Sequence, residues 1–413
     1  MFGATFVVTN ALDSGLGSLR EAIASARTDP DPSTITFATN LSGATIHLTS
    51  AELKVTNQSL TISAAGLPGG ITMDGNSGRR VFSISSNATL NLDHLIITNG
   101  WGSWYGGGVF NAGLLVMSNC SVVGNSAAGY GGGLANNGTA LLASSTFARN
   151  VAVHGGGAIE NGGFPNQVVL SAFNCTLASN ATAGAGGALR NNFGLATLAH
   201  CTVSQNSAEA ASSTGIGGGG IFHGGPRSII LSHSIVALNT AAIGPDVSAG
   251  RGIFTSHGHN LIGQDSEDLF YVSGFTNGAL GDIVGSATNG INPLLGPLQM
   301  NGGFTPTILP LAGSPAIDTG DSLFDATGLA DQRGYPRVQN GRIDIGAVES
   351  VPRVLRLRPL ITPGQLQLDW PGPTAARLQS AINISGPWAD VTEAFNGMTV
   401  TPTNSPTFYR LAE

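Results

Sequence analysis

The fold this sequence predicts is an all-β, right-handed parallel β-helix, and three observations predict it. The first is a repeating unit: a glycine cluster, a short apolar run, then a Ser/Thr/Cys-rich strand ending in Asn. The clusters are Gly106–Gly108, Gly131–Gly133, Gly155–Gly157, Gly186–Gly187 and Gly217–Gly220. The strands read CSVVGN (120–125), STFARN (145–150), CTLASN (175–180), CTVSQN (201–206) and SIVALN (234–239). Second, the terminal Asn125, Asn150, Asn180, Asn206 and Asn239 are 25, 30, 26 and 33 residues apart, which suits one solenoid rung of two or three short strands. Third, apolar residues alternate, as in Cys120-Ser121-Val122-Val123, whereas a helical solenoid of similar period needs 3.6-residue spacing.

Composition agrees. Of 413 residues, 60 are Gly and only 41 are charged, 17 basic and 24 acidic. Low charge with 41% apolar residues is the opposite of the disordered signature. The glycines cluster rather than recurring every third residue, which excludes collagen. No apolar run is long enough to span a bilayer.

The elements follow in chain order. Residues 1–33 form an N-terminal cap, with a strand-like Ala-Thr-Phe-Val-Val, a turn, and a short helix from Ser18 to about Ala26 that plugs the open end of the solenoid. TITF (34–37), TIHLTS (45–50), SLTISA (59–64) and TLNLDHLIITNG (89–100) supply the first rungs. In the repeats, Asn at a rung corner tolerates left-handed backbone and its amide bonds the same Asn one rung away. Cys120, Cys175 and Cys201 share one column with Ser145 and Ser234. Three thiols with no short spacing predict buried free cysteines rather than a disulfide framework. Residues 292–350 close the helix. Near residue 351 the texture turns rich in Pro, Leu and Arg, which predicts a small β-sandwich-like domain over 351–413.

The Gly-Gly-Gly-apolar unit with its following strand and Asn resembles the repeats of chlamydial polymorphic membrane proteins and of many bacterial extracellular β-helix proteins. Residues 8–23, which contain Ser18-Leu19-Arg20-Glu21-Ala22-Ile23, are similar to the "SLREAI" opening segment of those secreted proteins. Residues 292–349, with DQRGYPR and GRIDIGAVE, look like the "choice-of-anchor" segment that closes such helices. The tail resembles a small β-domain at the ends of secreted proteins from related bacterial phyla. What the resemblance implies is a secreted or cell-surface protein. Met1-Phe2-Gly3 runs straight into a strand without a signal peptide, which fits either a cytoplasmic protein or a chain trimmed at a processing site, and the resemblance favours trimming.

Function is written more quietly. The formal net charge is −7 and the one lysine is Lys54. Sixteen scattered arginines supply no basic face for counterion release, so nucleic acid is not an expected partner. The same scarcity speaks against a strongly polyanionic substrate. Aligning the repeats on their glycine pairs gives a column Asn111, Asn136, Glu160, Arg190, His223 and a second of Tyr105, Tyr130, His154, Gly184, Gly217. Glu160, Arg190 and His223 with Tyr130 form the candidate catalytic set. Trp101, Trp104, Tyr105, Asn111, Asn136 and His154 form the candidate substrate-binding set, since exposed aromatics on a polar scaffold bind ligands.

Three functions compete. The first is a monomeric protein that binds a polysaccharide or cell-surface glycan through an exposed flank. The second is a polysaccharide lyase, with Arg190 neutralising a uronate carboxylate and His223 or Tyr130 moving the α-proton. A glycoside hydrolase needs two facing carboxylates, and the column holds one. The third is a structural spacer, in which Glu160 and Arg190 are a surface ion pair worth up to about 1 kcal/mol. No metal is assigned. Ca²⁺ is the ion whose oxygen chemistry matches Glu160 with Asn136, or the stretch Asp318, Asp321, Asp325 and Asp331, whose spacing fits no calcium loop. SHGHN (256–260) reads as a turn rather than a metal site.

Overall fold

The computed structural model describes residues 3–163, 168–209, 217–265, 274–321, 328–338, 341–350, 358–362, 365–369, 377–383, 385–391, 398–400 and 407–412. The chain divides into two compact units, Met1–Ser350 and Val351–Glu413. The first is a parallel β-solenoid built from four sheets. Sheet one has ten strands, from Thr5–Val8 to Phe254–Ser256, and sheet two has ten, from Thr45–His47 to Ile283–Val284. Sheet three has six strands, from Trp101–Gly102 to Thr240–Ala241, and sheet four has eight, from Leu53–Val55 to Val247–Ala249. No helix among the described residues is long and apolar enough to cross a membrane.

Alternation in sheet one sends every second side chain inward. One interior column runs Leu60, Leu90, Leu115, Ala140, Leu170, Ala196, Ile229, Phe254, all buried. Parallel pairing makes such columns self-matching, because each rung offers the next the same apolar position. Cys120, Cys175 and Cys201 are buried and free, and burial pushes the Cys120 thiol up to about 12.

The helix Leu19–Ala26 is capped by Ser18, whose Oγ accepts from Glu21 N, and it buries Leu19, Ala22, Ile23 and Ala26 in the solenoid core. Its setting differs from a separate cap. Thr5–Val8 already pairs in register with the strand Ser33–Phe37, so the helix is the crossover between two strands of sheet one.

Two buried asparagine ladders run along the solenoid. In the first, each Nδ2 donates to the Oδ1 one rung on: Asn125 to Asn150 (3.0 Å), Asn150 to Asn180 (2.9 Å), Asn180 to Asn206 (2.8 Å), Asn206 to Asn239 (2.8 Å). The second links Asn111, Asn136, Asn161 and Asn191 at 2.7–2.8 Å.

Residues 292–350 do more than close an end. Their described parts lie along sheet two as a strap. Pro306 accepts from the Thr146 hydroxyl (2.6 Å), Gln332 from Thr176 (2.6 Å), Ala330 from the Asn174 amide (2.7 Å), while Gly346 N donates to His233 O (2.8 Å). Phe304 packs on His94 at 4.8 Å. The strap therefore touches rungs from residue 94 to residue 259, where Thr319 O meets His259 Nδ1.

Beneath it the left-handed corners preceding the seven sheet-two strands from Leu95–Thr98 to Leu261–Ile262 carry His94, Asn119, Ser144, Asn174, His200, His233 and His259, with φ between 47° and 55°. SHGHN thus belongs to a ladder: His200 stacks on His233 (4.8 Å) and His233 on His259 (5.2 Å). Burial holds His200 down to about 2 and His233 to about 4, with Arg337 adding to both. Asp321 N donates to His233 Nε2 (3.3 Å), which requires that nitrogen unprotonated. A histidine whose pKa falls on folding contributes full stability above its unfolded value, near 6.5, and loses it as pH drops toward the folded one. We expect unfolding free energy to fall by about 2 kcal/mol more between pH 7 and 4.5 in the wild type than in His233→Asn, which puts the residue of other corners at this one. Equal pH slopes in urea titrations would show that the histidine stack does not sense acid.

The second unit holds two three-stranded antiparallel sheets. One joins Arg358–Thr362, Gln365–Asp369 and Met398–Val400, and the other Ala389–Asp390, Arg377–Ala381 and Phe408–Ala412.

Candidate functional site

The candidate site forms where each rung turns from sheet three into sheet four. Gly106, Gly131, Gly156, Gly186 and Gly218 all take φ between 60° and 75° there, a left-handed turn that glycine adopts without strain. The residue before this glycine faces outward, and Tyr105, Tyr130, Gly155 and Ala185 occupy it on successive rungs.

This turn corrects the repeat register. In the third repeat the turn glycine is Gly156, and Gly155 is an extra glycine in the tyrosine position. Glu160 therefore pairs with Ala135 and Arg190, one column away from the asparagines, and Asn136 pairs with Asn161. The expected column Asn111, Asn136, Glu160, Arg190, His223 is two columns.

Asn111, Asn136 and His223 sit in the interior one. Asn111 and Asn136 are fully buried with their amides spent on the ladder, so they cannot bind substrate. His223 follows Asn191 in that ladder, lies against Gly252 and edge-on to Phe254 at 5.6 Å, and has no exposed surface. Burial lowers its pKa. It cannot serve as a base at the surface.

Glu160 and Arg190 face outward together. Arg190 Nη1 donates to Glu160 Oε1 at 2.9 Å, and the Arg190 guanidinium lies 4.9 Å from the Tyr130 ring centre. Glu160 is buried, its Oε2 has no hydrogen-bond partner among the described residues, and burial pushes its carboxyl up to about 7 against the pull of Arg190. It is more than a surface ion pair.

The aromatics converge on this pair. Tyr105 stacks on Tyr130 (5.8 Å, 22° between planes) and Trp104 stands edge-on to both, at 6.3 and 6.1 Å. His154 packs on Tyr130 (5.6 Å) and Trp104 (5.3 Å), and Phe110 on Tyr105 (6.4 Å). Trp104 is 48% exposed and Tyr105 37%. Trp101, exposed in sheet three, shares its outward column with Ser126 and Val151 and makes no ring contact with this group among the described residues. His154 belongs one position earlier than expected: its amide bonds Gly129 O, on the level of Trp104 rather than of the tyrosines.

Sequence reasoning missed Phe110 and Arg80. Arg80 lies 5.3 Å from the Phe110 ring centre and donates to Tyr105 O (2.7 Å) and to Glu52 Oε2 (2.7 Å). Phe110 was legible, since it fills the Ala135 and Glu160 position of its own repeat.

Among the described residues no group of three or more His, Cys, Asp or Glu side chains is placed to hold a metal. Glu160 and Asn136 point to different sides of the sheet, which undoes them as a Ca²⁺ pair. Asp331 is instead bound to Arg333 (2.7 Å) and to Glu349 N (3.0 Å) inside the strap. Asp325 lies outside the described residues.

No protein-family model matches this chain, and no curated protein sequence does. Among solved structures it is similar to jun a 1, the major allergen from cedar pollen, at 13% identity and a TM-score of 0.38, over 70% of this chain and 80% of that one.

Proposed function

We propose that this β-helix protein binds a polysaccharide along its flank, through Trp104, Tyr105, Tyr130, His154 and Phe110, and works at or outside the cell surface. The observation that carries the reading is the continuous aromatic strip crossing three rungs of an otherwise Gly, Ser and Asn surface, framed by Arg80 and Arg190. Exposed aromatic faces gathered in such number are ligand surfaces. Guanidinium groups seated on rings are held in place to donate hydrogen bonds outward. A glycan offers both apolar ring faces and hydroxyl acceptors.

Elimination has less support. His223 is interior and Glu160 is closed to solvent, so of the catalytic set only Tyr130 and Arg190 reach the surface, and the Tyr130 phenol is left as the sole base for the α-proton. Retention on a panel of insoluble neutral and acidic polysaccharides tests the binding reading. Trp104→Ala and Tyr105→Ala are each expected to weaken retention of the bound glycan about tenfold, the scale of one aromatic contact. Unchanged retention in both variants sinks this surface as the site. Release of reducing ends from any member would restore the enzymatic reading.

A further inference from the structure

The chain's one lysine lies on this same flank. The outward column of sheet four reads Lys54, Ser83, Phe110, Ala135, Glu160, Arg190. At ~4.8 Å per strand step it spans roughly 24 Å along the axis. Arg80 stands beside it over Phe110, and Arg20 and Arg27 line a groove with Lys54, between the helix Leu19–Ala26 and the strand Leu53–Val55.

Three acids beside these cations are paired, while Glu21, Asp29 and Asp31 near the helix make no ion pair among the described residues. Asp13 pairs with Arg20 (2.6 Å), Glu52 with Arg80 (2.7 Å) and Glu160 with Arg190 (2.9 Å). That leaves Lys54 and Arg27 without an ion pair among the described residues. A chain of net charge −7 offers a polyanion no general attraction. Gathered cations at both ends of an aromatic strip are therefore a local selectivity: the hydroxyls of a neutral glycan can take their hydrogen bonds, but only an anion uses their charge.

We infer that the ligand of this strip is an acidic polysaccharide, its carboxylates met by Lys54 at one end and by Arg190 at the other, with Glu160 as the buried counter-charge of Arg190. The inference rests on the binding reading above. Arg190 gives Nη1 to Glu160, and its Nε and Nη2 have no partner among the described residues, so the guanidinium has donors left for a ligand carboxylate. The charge it presents depends on Glu160. Around Glu160 stand Arg190 on the following rung, uncharged Ala135 on the preceding one, and Tyr130 with His154 above the guanidinium. With its carboxyl near 7, Glu160 is mostly ionised at pH 8 and mostly protonated at pH 6, where Arg190 is left uncompensated. Ligand carboxylates stay ionised across that range.

Affinity electrophoresis of the full chain through gels holding polygalacturonate, its methyl ester or single-stranded DNA tests this. The first two share a backbone and differ in charge. We expect polygalacturonate to retard the wild type at least fivefold more than the ester, and Lys54→Ala or Arg190→Gln to bring that ratio near one. Glu160→Gln, which keeps an acceptor for Nη1, should strengthen polygalacturonate binding severalfold at pH 8. It should also abolish the wild type's gain between pH 8 and 6. Lys54 is exposed, so its variant reports even if a buried one misfolds. Equal retardation by acid and ester overturns the inference and leaves polysaccharide binding standing. No retardation by these or by the insoluble panel overturns both. Retardation by DNA equal to that by polygalacturonate overturns the choice of a glycan carboxylate.

Discussion

Arg337→Ala is expected to destabilise the first unit by about 3–5 kcal/mol and to free the strap, because it strands a buried carboxylate. Arg337 is among the largest fully buried side chains. Nη1 donates to Glu349 Oε1 (2.8 Å) and Gly346 O (2.9 Å), and Nη2 to Ala347 O (3.2 Å) and to Asn174 Oδ1 of the solenoid. One side chain thus joins the strap's own turn to a corner of sheet two. Burial pushes the Glu349 carboxyl up even beside the arginine, and without Arg337 an ionised Glu349 must take up a proton or drag the segment into water. Chemical denaturation reports the loss, and limited proteolysis within 292–350 reports the release. The double variant Arg337→Met, Glu349→Leu removes both charges at similar volume and should recover most of the stability. A double variant as weak as Arg337→Ala would mean that packing, not charge, seats the strap.

The solenoid was legible because each rung repeats its own local chemistry. A left-handed glycine, an alternating strand and a corner asparagine need only their neighbours in sequence, and Asn125, Asn150, Asn180, Asn206 and Asn239 announce their ladder by spacing. The site depended on a finer quantity. One added glycine, Gly155, displaced Glu160 by a single position, and Ala188 in place of a third glycine displaced Arg190 likewise, and in a strand one position exchanges inside for outside. The apolar-x-Asn ending of each repeat, rather than its glycines, carries the true register: Val109-Phe110-Asn111, Ile159-Glu160-Asn161, Leu189-Arg190-Asn191. The strap had no periodic signature, since its partners lie at widely varying sequence separations, 60 residues for His259 and Thr319 and 160 for Thr146 and Pro306. Net charge averaged over the chain hid the gathering of Lys54, Arg27 and Arg190 on one flank.

Asn150→Asp should cost about 3–5 kcal/mol at pH 7.5, and substantially less at pH 4.5. Asn150 is at mid-ladder. Its Oδ1 accepts from Asn125 N and Nδ2 (both 3.0 Å), while its Nδ2 donates to Val122 O (2.8 Å) and Asn180 Oδ1 (2.9 Å). Aspartate keeps the first role and loses the second. It would set a buried, ionised oxygen against two acceptors, take the side-chain donor from Val122 O, and leave Asn180 Oδ1 only the Asn150 backbone N–H (2.9 Å). Protonation restores one donor, so the carboxyl's pKa is raised on folding. Its stability is then retained at low pH and lost as pH climbs through the folded value. Asn150→Ala, which removes donor and acceptor alike, should lose about as much at pH 7.5 without the recovery in acid. Urea midpoints of the two variants at both pH values decide the matter, and parallel behaviour would show that the amide's direction is irrelevant. The protein already contains the permitted case. All the ladder's donors point from Asn125 toward Asn239, whose N and Nδ2 end on Asp246 Oδ1 at 2.9 and 2.8 Å. The last position needs only to accept, so an acid fits there. Burial lifts Asp246 to about 6, but no further rung waits for a proton from it.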